Sequence, residues 1–214
     1  HRVDRRQRQM CIRDRFGGGM DLKSSEVEKY SDLMSESQHL VAADTLAAVN
    51  IPSVCRFLDV GGGKGTFVSE LKKIYPKVDA AVFDLPGSHS ENSGHRCIIG
   101  SFKEDELPAG YDIISLVRIL YDHRDETIRD LLGKAYSALD KGGRLIVSEP
   151  MLGADRPTLW GDVYFAMYTL AMSTGKTRSP DQVSGFIKDA GFSNVTIHKS
   201  ARPFITTVIE AQKT

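Results

Sequence analysis

A glycine-rich turn constrains this chain more than any other feature. The apolar segment 56–60 predicts a short strand, the run GGGKG follows at 61–65, and the segment 65–76 places its apolar side chains on one helical face. Glycine lets the backbone turn sharply and approach a ligand closely because it has no Cβ. The first N–H groups of the following helix have no partner within that helix, so they can bind a ligand. The pattern predicts a ligand site at a strand–turn–helix junction.

The rest of the chain alternates between strand and helix patterns. Further strands are predicted at 80–86, 96–102, 111–120, 144–151, 194–200 and 203–212, and helices at 26–49, 128–139, 159–173 and from 179 onward. Such alternation is typical of a doubly wound α/β sheet. Residues 201–202 leave so short a link that the last two strands should pair antiparallel. We predict a mostly parallel seven-stranded sheet with an antiparallel last strand, the arrangement of Rossmann-like class I methyltransferases.

The composition excludes several classes of protein. The chain has 214 residues, 41% of them hydrophobic and 26% charged, which is typical of one globular domain. No apolar run reaches the ~20 residues that a membrane-spanning helix requires. Three scattered cysteines, Cys11, Cys55 and Cys97, form no CxxC pair, so neither a disulfide framework nor a zinc site is indicated. We expect a cytoplasmic protein without a catalytic metal.

Positive charge is concentrated at the start of the chain. Residues 1–15 contain six Arg and two Asp, whereas the remainder contains 22 basic and 26 acidic residues. A nucleic-acid-binding arm is one interpretation. We favour a non-native or disordered lead over 1–19, since RQMCIRDR looks like translated adapter sequence joined to a truncated reading frame. The domain would then be 20–214, and its mildly acidic balance argues against a nucleic-acid partner.

Two common nucleotide sites do not fit the glycine turn. A phosphate-binding P-loop requires Ser or Thr after its lysine, but here Gly65 follows Lys64. A dinucleotide site requires a third glycine where this chain has Thr66. A glycine turn that binds nothing remains the structural alternative.

The pattern GxGxG is met by Gly61, Gly63 and Gly65, with Asp59 two residues ahead. Asp84 ends the second predicted strand, 19 residues after Gly65, where a carboxylate can accept both ribose hydroxyls. This combination suits S-adenosylmethionine, which has no pyrophosphate and whose amino-acid moiety lies over the loop.

Several motifs together resemble a known family. FLDVGGGKGTF, FDLP, GSF, LVRILYDHRDE, GGRLIVSEPML and GDVYFAMYTLAM occur in the order found in plant and bacterial small-molecule O-methyltransferases. The run YFAMYTLAMSTGKTRSP is most similar to the bacterial carotenoid O-methyltransferases that act on demethylspheroidene and hydroxyneurosporene. The resemblance covers about residues 20–212. It implies S-adenosylmethionine as cofactor, and an N-terminal helical domain, absent here, through which the full-length protein forms homodimers.

The resemblance also implies which residues contact the cofactor. The three glycines hold its amino-acid end, Asp84 binds the ribose, and Leu85 touches the adenine. Phe102 forms an apolar platform beside the adenine, next to Ser101, which stands where the family commonly has Asp. The implied cofactor contacts are Asp59, Gly61, Gly63, Gly65, Asp84, Leu85, Ser101, Phe102 and Arg118.

The catalytic set that the resemblance implies is only partly present. The family places His directly before Asp at the end of the fourth strand, where this chain has Tyr121-Asp122-His123. Glu149 matches a glutamate of the family, and the family's second glutamate falls at Thr177. Two interpretations remain open. Either His123 acts as the general base, or Tyr121 hydrogen-bonds the acceptor hydroxyl while proximity provides most of the rate.

The predicted helix 159–173 provides an apolar acceptor pocket, although about half of its large side chains would pack in the core instead. The implied acceptor contacts are Asp162, Phe165, Met167, Tyr168 and Met172. We expect methyl transfer to a hydroxyl of a hydrophobic molecule, with hydroxylated carotenoids favoured, in the bacterial cytoplasm near the membrane where such a molecule dissolves. The alternatives are a phenolic or polyketide acceptor, and a cofactor-binding module without catalytic activity.

Overall fold

Strands and helices alternate along the chain as predicted. The computed structural model describes residues 37–86, 88, 94–153, 162–172 and 175–214. The strands are β1 Arg56–Val60, β2 Asp79–Asp84, β3 Arg96–Ile99, β4 Tyr111–Val117, β5 Leu139–Glu149, β6 Ser193–His198 and β7 Thr207–Gln212. The helices are α1 (37–48), α2 Thr66–Ile74, α3 Asp125–Ala138, α4 Asp162–Met172 and α5 Pro180–Asp189, with a 3-10 turn at Leu120–Asp122. The predicted lead 1–19 and the side chains of Tyr168 and Met172 lie outside the described part of the chain.

The seven strands form one sheet in the order β3-β2-β1-β4-β5-β7-β6. Strands β1 to β5 pair in parallel, whereas β7 pairs antiparallel with both β5 and β6. The predicted seven-stranded, mostly parallel sheet with an antiparallel last strand is therefore confirmed. The chain runs outward through β2 and β3 and then returns to place β4 on the other side of β1. This reversal opens a crevice at the carboxyl ends of β1 and β4, where ligands bind in such sheets.

Helices cover both faces of the sheet. Because side chains alternate along a strand, Leu58 and Val60 lie on one face with α3 and α5, and Phe57 lies on the other with α1 and α2. Helix α5 begins with a capping box, in which Ser179 and Gln182 each bind the other's backbone N–H. None of the described helices combines the length and apolar character needed to cross a membrane.

The last connection is longer than the sequence pattern predicts. Strand β7 begins at Thr207 rather than at 203, so residues 199–206 form a loop between the final strands. Pro203 cannot donate to a sheet ladder, and the carbonyl of Arg202 accepts the N–H groups of Ile205 and Thr206. The Arg202 guanidinium reaches the buried Asp44 of α1, with Nε–Oδ2 at 2.9 Å and Nη2–Oδ1 at 2.7 Å. The loop therefore docks on α1 instead of turning tightly.

A chain of three buried hydroxyls joins the same elements. Ser148 of β5 lies 2.6 Å from the Thr45 hydroxyl and 2.7 Å from the Thr206 hydroxyl. All three side chains are fully buried. Thr45 also donates to the carbonyl of Val41 at 2.7 Å. Since buried polar groups are costly without partners, this chain of hydroxyls ties α1, β5 and the 199–206 loop together.

We predict that Ser148→Ala lowers the free energy of unfolding by about 1–3 kcal/mol, because it removes a shared partner of two buried hydroxyls. The control is Ser137→Ala on α3, whose exposed hydroxyl binds only the carbonyl of Gly133 within the described residues. That change should stay within about 0.5 kcal/mol of the parent protein. Chemical denaturation measures both, and equal effects of the two substitutions would contradict the assigned role of Ser148.

Candidate functional site

The glycine turn lies at the carboxyl end of β1, at one side of the crevice. Gly61, Gly63 and Gly65 have φ values of 72°, 56° and 76°, the left-handed conformation that glycine adopts without strain. At Gly62 the restriction is steric, since a Cβ would lie 2.3 Å from Oδ2 of Asp59. The turn thus combines unusual backbone angles with close packing, and it leads directly into the first N–H groups of α2.

Two side chains pack against this turn. The backbone N–H of Gly63 donates to Oδ2 of Asp84 at 2.6 Å, and the N–H of Leu85 donates to Oδ1 of the same carboxylate at 2.6 Å. The ring of His95 lies over the turn, because a Cβ on Gly65 would come within 2.0 Å of it. Sequence reasoning placed Asp84 here from its spacing but assigned His95 no part. His95 directly precedes β3, and its contact with the turn has no local signal in the sequence.

Asp59 lies beneath the turn, only 1% exposed. The Ser115 hydroxyl donates to Oδ1 of Asp59 at 2.6 Å. Burial raises the pKa of Asp59 to about 7, the Ser115 hydrogen bond acts in the lowering direction, and the charge of Asp84 adds to the rise. Within the described ranges no donor reaches Oδ2. The site thus holds a carboxyl group that a nearby cation would strongly favour in its ionised form.

Ser101 and Phe102 follow β3 on the far side of the turn. The backbone N–H of Ser101 donates to Oδ2 of Asp105 at 2.8 Å. A carboxylate from four residues further along the chain therefore binds the backbone at Ser101. Phe102 packs on the core and meets the ring of His123 edge to face, with centroids 5.2 Å apart. His123 therefore lies on the side of the crevice that the resemblance assigns to the adenine.

The turn Leu120–Asp122 that follows β4 is bound through its backbone. Oε1 of Glu149 accepts the N–H groups of Ile119 and Leu120, both at 2.7 Å, and Oε2 accepts that of Tyr121 at 3.4 Å. Glu149 ends β5 and is 2% exposed. Burial raises its pKa to about 8 against the lowering effect of the three backbone donors. In this arrangement the carboxylate contacts the turn and holds it in place.

Tyr121 packs toward helix α4. Its ring meets that of Phe165 edge to face, with centroids 6.2 Å apart, and Tyr121 is only 3% exposed. The carboxylate of Asp162 is buried and accepts the N–H of Gly153 at 2.8 Å, so it anchors the start of α4. Met167 is 62% exposed. Of the predicted acceptor residues with described side chains, Phe165 is the one brought against Tyr121.

Arg118 adopts a left-handed backbone conformation at the carboxyl end of β4, with φ of 58°. Such a conformation is uncommon for a residue with a side chain and is concentrated at functional sites. Its N–H donates to the carbonyl of Ser148 at 2.9 Å, and its guanidinium donates to the hydroxyl of Ser37 at 2.8 Å. Arg118 thus connects the crevice to the start of the described part of α1.

Sequence reasoning singled out Thr177 but missed Arg178 and the packing of the segment 175–178 against the same turn. A Cβ on Gly175 would lie 2.0 Å from the carbonyl oxygen of Tyr121, so these two backbones touch. Arg178 is 4% exposed and donates to backbone carbonyls of the turn. Thr177, the position of the second glutamate in the resemblance, is buried. Arg178 is a single charged residue before a capped helix, so the hydrophobic periodicity of the sequence does not indicate that it is buried.

Across the described residues, no three His, Cys, Asp or Glu side chains come together in a way that could hold a metal ion. Cys55 and Cys97 are free thiols.

The sequence matches one protein family and named members of that kind of enzyme. The model of the O-methyltransferase domain family matches residues 5–193. Demethylspheroidene O-methyltransferase of Rhodobacter capsulatus is 46% identical over 190 residues, which cover 87% of this chain and 48% of that protein. The protein of the same name from Cereibacter sphaeroides is 41% identical over 206 residues, which cover 92% of this chain and 54% of that protein. The chain therefore spans about half the length of these relatives.

A solved structure supports the same assignment. Human N-acetylserotonin methyltransferase, crystallised in complex with SAM, superimposes with a TM-score of 0.77 at 28% sequence identity. The superposition covers 86% of this chain and 55% of the human one. The seven-stranded sheet, the glycine turn and the family match over most of the length together show that this chain belongs to the O-methyltransferase domain family.

Proposed function

We propose that the crevice binds S-adenosylmethionine (SAM) and that the protein transfers its methyl group to a hydroxyl of a hydrophobic acceptor. The observation that carries this proposal is the glycine turn with Asp59 beneath it and Asp84 beside it. When bound, SAM supplies a methyl group activated by a positively charged sulfur. Transfer to the acceptor oxygen would form the oxygen–methyl bond as the carbon–sulfur bond breaks, leave S-adenosylhomocysteine, and release the hydroxyl proton to water.

The residues at the turn fit the parts of SAM. The ionised carboxylate of Asp59 would provide negative charge near the ammonium group of the amino-acid end, and a bound cation would lower the pKa of Asp59 from about 7. Asp84 lies beside Gly63 at the height where β2 ends, which suits the ribose hydroxyls. Leu85 and Phe102 provide apolar surface for the adenine, and Ser101 and Arg118 complete the proposed set.

A carotenoid alcohol is the acceptor class that we favour. Two relatives at 46% and 41% identity are named for demethylspheroidene. We assign the acceptor side of the crevice to Tyr121 and Phe165, which are in ring contact and whose aromatic surface would suit an apolar chain that carries one hydroxyl. Asp162, Met167, Tyr168 and Met172 remain proposed acceptor contacts on α4.

We propose Tyr121 rather than His123 as the group that binds the acceptor hydroxyl. Tyr121 packs on Phe165 of the acceptor helix, whereas His123 packs on Phe102 at the proposed adenine side. An alcohol has a pKa far above that of histidine, so a histidine would not ionise it in advance. A tyrosine hydroxyl can orient the alcohol by a hydrogen bond, while proximity to the methyl group provides most of the rate. Glu149 is then a positioning residue for this turn.

The relatives are about twice as long as the part that this chain matches, and the next proposal concerns a protein of that full length. We propose that this longer form is a homodimer in the bacterial cytoplasm, close to the membrane that dissolves its acceptor. The free thiols of Cys55 and Cys97 agree with a reducing compartment.

The first test is methyl transfer itself. The protein is incubated with radiolabelled SAM and either demethylspheroidene or N-acetylserotonin, whose hydroxyl is aromatic. We expect label in the carotenoid, and none with Asp84→Ala, which removes the proposed ribose partner. Label in N-acetylserotonin alone would favour a phenolic acceptor. Calorimetric binding of SAM without transfer to either would favour a non-catalytic module, and absence of binding would refute the proposal.

The second test separates the two candidate catalytic groups. Tyr121→Phe should lower kcat for demethylspheroidene by about tenfold or more, because the hydrogen bond to the acceptor is lost. His123→Ala should leave kcat within about threefold and instead raise KM for SAM, since its ring touches Phe102. Steady-state kinetics measures both constants. A larger loss of kcat in His123→Ala than in Tyr121→Phe would reverse the assignment.

The third test concerns the protonation of Glu149. Its folded pKa of about 8 lies above the ordinary 4.5, so the folded state holds the proton more tightly. The stability that this provides is complete below about pH 4.5 and is lost as pH rises through about 8. Glu149→Gln keeps an oxygen for the N–H groups of Ile119 and Leu120 but cannot ionise. Urea denaturation at several pH values measures the free energy of unfolding, and its decrease between about pH 4.5 and pH 8 should be smaller in the variant. Identical pH profiles would mean that the carboxylate is ionised throughout.

A further inference from the structure

Arg178 lies in the segment that connects α4 to α5, just before the Ser179 cap. Its guanidinium donates to the carbonyl of Leu120 at 3.1 Å and to that of His123 at 2.9 Å. It also binds the carbonyl of Lys176 at 2.8 Å, and its Nε lies 2.9 Å from Oδ1 of Asp125. This ion pair lowers the pKa of Asp125 below its ordinary range. Arg178 is 4% exposed, and its guanidinium is bound by residues 120–125 and by the carbonyl of Lys176 in its own segment.

The backbone beside Arg178 contacts the same stretch. The N–H of Lys176 donates to the carbonyl of Tyr121 at 2.9 Å. Gly175 permits this approach, because a Cβ there would lie 2.0 Å from the same carbonyl oxygen. The carbonyls of Leu120, Tyr121 and His123 are therefore bound from the segment 175–178.

These contacts complement those of Glu149. The Glu149 carboxylate of β5 accepts the N–H groups of Ile119, Leu120 and Tyr121. The donors of the turn are thus bound by β5, and its carbonyl acceptors are bound by the segment 175–178. A guanidinium has five N–H donors in one plane, whereas the three donors of a lysine ammonium radiate from one nitrogen. Lysine at 178 therefore cannot reach both carbonyls and the carboxylate of Asp125 together.

We propose that Arg178 is a positioning residue for methyl transfer, which sets the backbone beneath Tyr121 and thereby the direction of its ring toward Phe165. This inference rests on the proposed function. Arg178 acts through the turn and does not itself touch the acceptor. Its loss therefore displaces Tyr121 without disturbing the glycine turn at the other side of the crevice.

The experiment compares Arg178→Lys with Arg129→Lys. Arg129 of α3 is exposed, and its guanidinium carbon lies 4.6 Å from the centroid of the Phe186 ring, which that of Arg178 also approaches at 5.9 Å. Arg178→Lys should lower kcat for demethylspheroidene by about tenfold, since a displacement of about 1 Å can cost ~10²-fold. KM for SAM should rise by a smaller factor than kcat falls, because the contacts of the glycine turn are kept and only the backbone of His123 loses a donor on the SAM side. Arg129→Lys should change neither constant.

The link to Tyr121 is tested in a double-mutant cycle. In a Tyr121→Phe background Arg178→Lys should have little further effect on kcat, because groups that act as one unit are not additive. A loss of equal size in both backgrounds would overturn the proposal and leave Arg178 as a general stabiliser. Asp125→Asn weakens the same anchor without emptying a buried site. It should give a smaller loss of kcat in the same direction, and it serves if Arg178→Lys does not fold.

Hydrogen exchange gives a readout that needs no acceptor. Amide exchange of the peptide 118–125 should quicken in Arg178→Lys and stay unchanged in Arg129→Lys. If the parent protein transfers no methyl group but this exchange difference appears, the proposed function fails while Arg178 still orders the turn. If transfer occurs and both exchange and kcat are unchanged in Arg178→Lys, the positioning role fails alone.

Discussion

Hydrogen bonds from three consecutive backbone N–H groups to the Glu149 carboxylate fix the turn that carries Tyr121. They are possible because β4 and β5 are parallel neighbours, so that the last residue of β5 lies beside the segment that leaves β4. A carboxyl group buried to this degree requires donors, and the turn supplies them in place of water. The sheet register therefore controls the geometry of the crevice, and a shift of β5 by one residue would remove Glu149 from the turn.

Local signals predicted the fold well. The strand β1, the glycine turn and the seven-stranded sheet follow from apolar runs and glycines close together in the sequence. The 199–206 loop was not predicted, because its course depends on Arg202 meeting Asp44, and these residues are 158 positions apart. Arg178 was missed for the same reason, since its partner Asp125 lies 53 residues away and no pattern of spacing joins them.

The sequence predicted which residues belong to the candidate site but not the directions in which their side chains point. The sequence offered both Tyr121 and His123 as candidates, two residues apart. Their rings diverge because each packs on an aromatic ring from a different element, Phe102 after β3 for His123 and Phe165 on α4 for Tyr121. Only packing decides such directions. The roles of Arg118, of the other α4 side chains and of the lead 1–19 stay predictions.

The position of β7 has a consequence for the order in which the chain assembles. β7 follows β6 in the sequence but lies between β5 and β6 in the sheet. During synthesis β6 leaves the ribosome before β7, the strand that must separate it from β5. The edge of β5 and the edge of β6 that β7 will join therefore stay unpaired until β7 emerges. Exposed strand edges favour non-native pairing. A nascent chain halted before Thr207 would therefore present two open edges that can join each other or a neighbouring chain, so completion of the sheet depends on the last strand to emerge.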